Sequence, residues 1–170
     1  MITLGIDPGI AITGYGVVEE DGGNLSLLAQ GAITTPASQP LPERLLTIYR
    51  ELSILLAEHH PQAVAVEEIF FGRNTRTAIT VGHARGVILL TAAQASLPVF
   101  TYTPTAVKQA VVGYGGADKH QMQEMVRLLL ALPAILKPDD VADAVAVAVC
   151  HIHSSRLNQL IAHADDLVRA

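Results

Sequence analysis

Residues 2–33 read ITLGIDPGIAITGYGVVEEDGGNLSLLAQGAI, and their pattern predicts three consecutive strands. The expected strands, 2–6, 14–19 and 25–33, are rich in apolar and β-branched residues. Turn sequences separate them, namely Pro8-Gly9 and Asp21-Gly22-Gly23-Asn24. Because such short connections join antiparallel neighbours, we expect the fold to begin with an antiparallel meander.

After a turn-rich loop at 34–42, the pattern changes to alternating helices and strands. Apolar residues recur every three or four positions in 43–58, which predicts a helix, and the run AVAV at 63–66 predicts a buried strand. Further helices are expected at about 77–95, 104–111, 118–130 and 138–158. The last helix either ends near 158 or continues with a further turn to 168. A fifth strand is expected at 98–102. The order β-β-β-α-β-α-β-α-α-α predicts an α/β fold with a mixed five-stranded sheet flanked by helices.

The composition is that of one globular domain spanning residues 1–170. Of the 170 residues, 50% are hydrophobic and 16% are charged, which argues against a disordered tail or a charged coiled coil. No apolar run approaches the ~18 residues of a membrane span, and the N-terminus does not resemble a signal peptide. Cys150 is the only cysteine, which excludes an internal disulfide and a cysteine zinc cluster. We therefore expect a cytoplasmic protein with no membrane partner.

The charge is unevenly distributed along the chain. The net charge is -5, which by itself argues against a nucleic-acid partner. The stretch from Arg73 to Arg127, however, contains six basic residues and only two acidic residues, which gives it a local charge of +4. This basic middle is either an anion-binding face or ordinary surface charge.

Two carboxylates directly follow strands that are expected to be central in the sheet. Asp7 follows strand 2–6, and Glu67 follows strand 63–66. In open α/β sheets ligands collect at the carboxyl ends of the strands, so these residues are candidate site residues. The alternatives are that Asp7 serves the Asp-Pro-Gly turn and that Glu67 points into water.

A third group of carboxylates lies at the start of the last predicted helix, in Asp139-Asp140-Val141-Ala142-Asp143. Acidic residues in a first helical turn interact favourably with the helix dipole, which accounts for Asp139 and Asp140. It accounts poorly for Asp143, which lies one turn further along in an apolar segment. Asp140 and Asp143, three residues apart, share one helix face.

These carboxylates together predict a metal site. Several carboxylates that converge on one point repel each other unless cations hold them. Oxygen ligands without cysteine favour Mg²⁺ or Mn²⁺. Two such ions ~4 Å apart activate water and stabilise the leaving oxygen in phosphodiester cleavage.

Aromatic and basic residues follow Glu67. Phe70 and Phe71 precede a polar loop that contains Arg73 and Arg76. An aromatic side chain beside arginines can stack on an unpaired base or wedge into a base step. The alternative is that both phenylalanines belong to the core.

Two lysines further along the chain are candidate phosphate ligands. Lys108 and Lys119 flank the flexible turn Gly113-Tyr114-Gly115-Gly116. Lysine side chains commonly contact DNA phosphates, although both could equally be solvated surface residues.

Taken together, these motifs resemble the RuvC family of Holliday junction resolvases. The resemblance runs from residue 2 to about residue 157, with the motifs in the order and spacing of the family. It rests on Gly5-Ile6-Asp7-Pro8-Gly9, Thr13-Gly14-Tyr15-Gly16-Val17, Ala65-Val66-Glu67-Glu68-Ile69-Phe70, Val107-Lys108-Gln109 and Asp140-Val141-Ala142-Asp143-Ala144.

The resemblance implies a ribonuclease H-like fold and a homodimeric endonuclease. Such an enzyme nicks a four-way DNA junction symmetrically, in two strands of like polarity, with two Mg²⁺ or Mn²⁺ ions per active site. It works with the RuvA–RuvB branch-migration complex in recombination and DNA repair. The nicks leave 5′-phosphate and 3′-hydroxyl ends that can be ligated.

The resemblance also assigns roles to individual residues. The metal-binding and catalytic acids would be Asp7, Glu67, Asp140 and Asp143. Phe70 would contact bases at the junction centre, and Arg73 lies in the loop that enters the junction. Lys108 and Lys119 would lie near the scissile phosphate. The segment 78–90 would form the dimer interface, where small residues would allow close helix approach, namely Ala78, Gly82, Ala84 and Gly86.

Three other functions are compatible with parts of the pattern. Asp7, Gly9 and Gly14 also resemble the first phosphate loop of actin-like sugar kinases and ATPases, but those proteins have two lobes and far longer chains. A non-catalytic junction-binding module would keep the fold without the chemistry. A monomeric ribonuclease of the same fold would act on a different substrate.

Overall fold

The computed structural model describes the backbone of residues 1–68 and 75–169, and the side chains of 1–68 and 78–158. The predicted order of elements is confirmed. The strands are β1 (Ile2–Asp7), β2 (Ile12–Asp21), β3 (Asn24–Thr34), β4 (Ala63–Glu67) and β5 (Val99–Tyr102). The helices are α1 (Leu41–His59), α2 (Thr75–Gln94), α3 (Pro104–Val112), α4 (Lys119–Leu129) and α5 (Asp139–Arg169).

The five strands form one mixed sheet in the order β3-β2-β1-β4-β5. β2 pairs with β1 and β3 in antiparallel fashion, whereas β4 pairs with β1 and β5 in parallel. The parallel register matches Ile6 with Val66, so the carboxyl ends of β1 and β4 are neighbours. Asp7 and Glu67 are the last residues of these strands, one position beyond the predicted ends.

Helices cover both faces of the sheet. Leu4, Ile6, Val64 and Val66 pack in one buried cluster with residues of α1 and α2. Ala65 and Val18 belong to a second cluster with residues of α3, α4 and α5. Because side chains alternate along a strand, Asp7 and Glu67 fall on the same face as Gly5 and Ala65, under α5.

Glycines allow α5 to lie directly on the sheet. A Cβ atom on Gly5 would lie 2.1 Å from the carbonyl oxygen of Ala144, and one on Gly14 would lie 2.0 Å from the carbonyl oxygen of Asp140. Gly14 is the β2 partner of Asp7. The close contact therefore brings the first turns of α5 to the end of β1.

The two faces of α2 differ in their small residues. Ala78 and Ala84 are buried within the chain's own core, whereas Gly82 and Gly86 are exposed. Only the two glycines of the four small residues named above thus remain available to a second helix. In the part of the chain that the structure describes, no helix is long and apolar enough to cross a membrane.

Candidate active site

Three predicted acids meet at the edge of the sheet where β1 and β4 end. The side chains of Asp7 and Glu67 are hydrogen bonded to each other. Asp143, one turn into α5, lies close enough to raise the pKa of both residues by charge repulsion. Asp140 repels Asp7 and Asp143 more weakly. The four predicted acids are therefore neighbours, although they come from distant parts of the chain.

Burial and repulsion change the ionisation of Asp7 and Glu67. Burial, followed by repulsion from Glu67 and Asp143, raises the pKa of Asp7 to about 8. Burial also raises the pKa of Glu67, although the hydrogen bond from Asp7 opposes this. At neutral pH the Asp7 carboxyl therefore keeps its proton and donates a hydrogen bond to Glu67. An ionised pair at this position requires a cation.

Lys119 supplies one positive charge to this group. Its Nζ atom lies 3.4 Å from Oδ2 of Asp143 and 3.1 Å from Oδ2 of Asp139. Burial raises the pKa of Asp143, and the attraction of Lys119 only partly offsets this. Burial alone would lower the pKa of Lys119, but its hydrogen bonds to Asp139 and Asp143 raise it overall.

Helix caps fix where the two lysines stand. The Thr103 side chain accepts a hydrogen bond from the Ala106 amide at the start of α3, which carries Lys108 on its second turn. Asp118 and Gln121 form a reciprocal capping box that makes Lys119 the first residue of α4. α3 begins at the residue expected from the sequence, and α4 begins one residue later than expected.

Two of the acids and both lysines line one cavity of about 220 Å³. Its polar wall consists of Glu67, Asp143, Lys108 and Lys119. Its apolar wall consists of Pro104, Val107, Met122 and Ala146. A pair of carboxylates and a pair of ammonium groups in one cavity suit a phosphodiester together with its counter-cations.

The remaining site predictions fall outside the described side chains. Phe70, Phe71 and Arg73 lie in 69–74, beyond the described residues, and Arg76 lies in α2 where only the backbone is described. Their contacts with DNA remain predictions.

Two features of the site were not recognised in the sequence. Asp139 was interpreted only as a favourable residue for the helix dipole, yet it binds Lys119. Gly5 and Gly14 were read as motif residues without a packing role. Gly5 and Gly14 lie in neighbouring strands, and glycines in adjacent strands can indicate that another element packs closely against the sheet there.

The donor set fits a divalent cation, but the side chains are not arranged as a cage. Within the described residues, no group of three or more His, Cys, Asp or Glu side chains could hold a metal ion as it stands. Asp143 is held by Lys119, and Asp7 by Glu67. All four donors are nevertheless carboxylates, the ligands that Mg²⁺ and Mn²⁺ prefer, and their mutual repulsion favours a cation.

The raised pKa of Asp7 predicts that the metal-free protein loses stability as pH rises. The unfolded chain releases the Asp7 proton near pH 3.8, whereas the folded chain retains it to about pH 8. Between these values unfolding releases a proton, so the free energy of unfolding falls by up to about 1.4 kcal/mol per pH unit. Urea unfolding at pH 5 and pH 8 in a chelator measures this. Asp7→Asn should show a flatter pH dependence, and equal slopes for the two proteins would contradict the expectation.

Comparisons with known proteins agree with this geometry. The sequence profile of the family described as Crossover junction endodeoxyribonuclease RuvC matches residues 3–151. The chain is 60% identical over 155 residues to the crossover junction endodeoxyribonuclease RuvC of Chloroflexus aggregans, covering 91% of this chain and 94% of that protein.

Solved structures show the same likeness. Thermus thermophilus RuvC is 40% identical, with a TM-score of 0.87 over 93% of this chain and 97% of that one. Thermus thermophilus RuvC in complex with Holliday junction substrate gives a TM-score of 0.90 at 40% identity, over 93% and 96% of the two chains. The ribonuclease H-like fold implied by the sequence motifs is thereby confirmed. The chain belongs to the RuvC family of crossover junction endodeoxyribonucleases, the Holliday junction resolvases.

Proposed function

We propose that this chain resolves four-way DNA junctions by metal-dependent phosphodiester hydrolysis, with two Mg²⁺ or Mn²⁺ ions per active site. The observation that carries the proposal is the meeting of Asp7 with Glu67 and Asp143, two acids that line one cavity together with Lys108 and Lys119. The junction as substrate is supported by the family and by the structure of the Thermus thermophilus relative with a Holliday junction.

Asp7, Glu67, Asp140 and Asp143 are the residues that would hold the ions. When bound, divalent cations supply the Lewis acidity that polarises a phosphodiester and lowers the pKa of water. For this role Asp7 would have to lose its proton, and Asp143 would bind the cation beside or in place of its contact with Lys119. A divalent charge would favour both changes, because it would offset the burial and the repulsion that raise the pKa of these carboxyls.

The lysines would bind and orient the DNA strand. Lys108 and Lys119 line the same cavity as Glu67 and Asp143, where they can contact the phosphate oxygens. The apolar wall formed by Val107 and Met122 limits the space for water beside that phosphate. Phe70, Phe71, Arg73 and Arg76 are proposed to contact the junction from the segment that follows β4.

Resolution requires two nicks, which we attribute to a homodimer. A four-way junction and a C2 dimer both have approximate two-fold symmetry, so two identical active sites face two equivalent strands. The outer face of α2 offers a surface for this contact, since Ile79 is 62% exposed, Leu90 is 57% exposed, and Gly82 and Gly86 open onto free space. The RuvA–RuvB complex is the proposed partner of the dimer.

Gly86→Lys is expected to convert paired nicking into single nicking. A side chain at Gly86 meets no atom of its own chain within 4 Å, so the fold accepts it, whereas a long charged side chain would keep two α2 helices apart. Sedimentation velocity should show a monomer, and cleavage of a cruciform plasmid should give nicked circles in place of linear product. Ile54→Lys adds the same charge on exposed α1 and should leave the dimer intact. A dimeric Gly86→Lys protein that still linearises the plasmid would refute this interface.

The direct test of the function is cleavage of a synthetic four-way junction with and without divalent cations. We expect two symmetric nicks with 5′-phosphate ends in Mg²⁺ or Mn²⁺, and no cleavage in a chelator. Linear duplex and single-stranded RNA of the same sequence serve as controls. Preferential cleavage of either control would instead favour a ribonuclease or a nonspecific nuclease.

A further inference from the structure

The Asp139 carboxylate, which does not itself line the cavity, contacts three side-chain nitrogen donors. Its Oδ2 atom lies 3.1 Å from Nζ of Lys119. Its Oδ1 atom lies 3.1 Å from Nζ of Lys137 and accepts a hydrogen bond of 2.9 Å from Nε2 of Gln123. Asp139 thus has a partner for each carboxylate oxygen, which fixes the plane of its side chain.

This arrangement fixes Asp139 more firmly than it fixes Lys119. Gln123 is only 7% exposed and belongs to α4, so its amide ties the first residue of α5 to a buried part of α4. The Lys119 side chain, by contrast, is 54% exposed and has four rotatable bonds. An exposed lysine with no fixed partner samples many positions, so its ammonium group depends on Asp139 and Asp143 for its place.

The two carboxylate partners of Lys119, Asp139 and Asp143, differ in their place relative to the cavity. Asp143 lines the cavity and belongs to the proposed ion-binding set, whereas Asp139 does not line the cavity. If Asp143 bound a cation through Oδ2, it would give up its contact of 3.4 Å with Lys119. Asp139 would then be the remaining hydrogen-bonded partner of Lys119 among the described residues, and Glu67 would add only a longer-range attraction.

We propose that Asp139 is a positioning residue that holds the Lys119 ammonium beside the scissile phosphate after Asp143 has exchanged Lys119 for a cation. This rests on the proposed function, since Lys119 is taken there as a phosphate ligand. Asp139 itself touches neither the DNA nor the reacting atoms. Its effect on cleavage passes entirely through Lys119.

The experiment is a double-mutant cycle with Asp139→Asn and Lys119→Met. Asparagine keeps the shape and the acceptor for Gln123 but loses the charge that holds Lys119. We expect Asp139→Asn to lower the single-turnover cleavage rate about tenfold, the order of loss expected from a displaced catalytic contact, with junction affinity unchanged. In the Lys119→Met background the same change should have no further effect. Asp139→Glu should recover part of the rate, and Glu58→Gln, an exposed acid on α1, should match the unsubstituted protein.

A spectroscopic measurement separates this proposal from the function on which it rests. In the metal-free protein, the ¹⁵N signal of the Lys119 ammonium should be protected from exchange, and Asp139→Asn should reduce that protection, because only the longer contact with Asp143 remains. A wild-type rate for Asp139→Asn, an equal loss in the Lys119→Met background, or an unchanged ammonium signal would overturn the role of Asp139. Failure of the unsubstituted protein to cut junctions would instead overturn the proposed function, while the ammonium signal would still decide whether Asp139 holds Lys119.

Discussion

Asp7→Asn is expected to lower junction cleavage by about 10³-fold or more while making the metal-free protein more stable at pH 8. The loss of rate follows because Asp7 is the central member of the carboxylate group, and Lewis-acid stabilisation is worth several kcal/mol of the barrier. The gain in stability follows because asparagine removes a carboxyl whose pKa burial and repulsion raise to about 8. Single-turnover cleavage and thermal unfolding in a chelator measure the two effects.

The opposite signs of these effects exclude simple misfolding as the cause of lost activity. Asp21→Asn, at the exposed end of β2, replaces the same type of carboxyl far from the acids and should change neither quantity. Junction binding without cleavage should persist in Asp7→Asn, since the lysines remain. Cleavage that continues in the presence of Mg²⁺ or Mn²⁺ would show that Asp7 is not part of the active site.

Gly14→Ala is expected to have the second largest effect, through the position of α5. The added Cβ would lie 2.0 Å from the carbonyl oxygen of Asp140 and 3.1 Å from the amide nitrogen of Val141, so the helix must move off the sheet. Overpacking of this kind costs about 1–3 kcal/mol of stability. The same movement carries Asp140 and Asp143 away from Asp7, and displacements of about 1 Å can cost 10²-fold in rate. Urea unfolding and junction cleavage report the two losses.

Gly31→Ala is the matched control for Gly14→Ala. Gly31 also lies in a strand, but its added Cβ would meet only the phenol ring of Tyr15, with the hydroxyl oxygen nearest at 2.5 Å. A ring end can rotate aside more easily than a helix backbone can move, so we expect a smaller loss of stability and near-normal cleavage. Equal losses in both variants would show that the contact between Gly14 and α5 does not position the acids.

The sequence allowed the sheet and the positions of the main acids to be predicted because both depend on local patterns. The apolar and β-branched residues of β1 and the short apolar run of β4 indicated central strands. Asp7 and Glu67 ended those strands, so their meeting followed from the rule that parallel strands share a carboxyl edge. Asp143 was recognised because a carboxylate within an apolar helical segment lacks a structural reason.

The remaining features depend on contacts between elements that no local pattern encodes. The contact of Lys119 with Asp139 joins the first residues of α4 and α5, 20 positions apart in sequence, and follows only from how the two helices dock. Which face of α2 is buried could also be learned only from the structure. Gly82, Ala84 and Gly86 look equivalent in sequence, yet Ala84 is buried in the core and the glycines are exposed.

The most direct test of the account is to locate bound Mn²⁺ by anomalous scattering from crystals of the protein at pH 8. The account predicts Mn²⁺ at about 2.0–2.3 Å from carboxylate oxygens of Asp7, with Glu67 and Asp143 as further ligands. Lys119 should then contact Asp139 alone. Mn²⁺ bound elsewhere, or Asp7 still hydrogen bonded to Glu67 at saturating Mn²⁺, would contradict it.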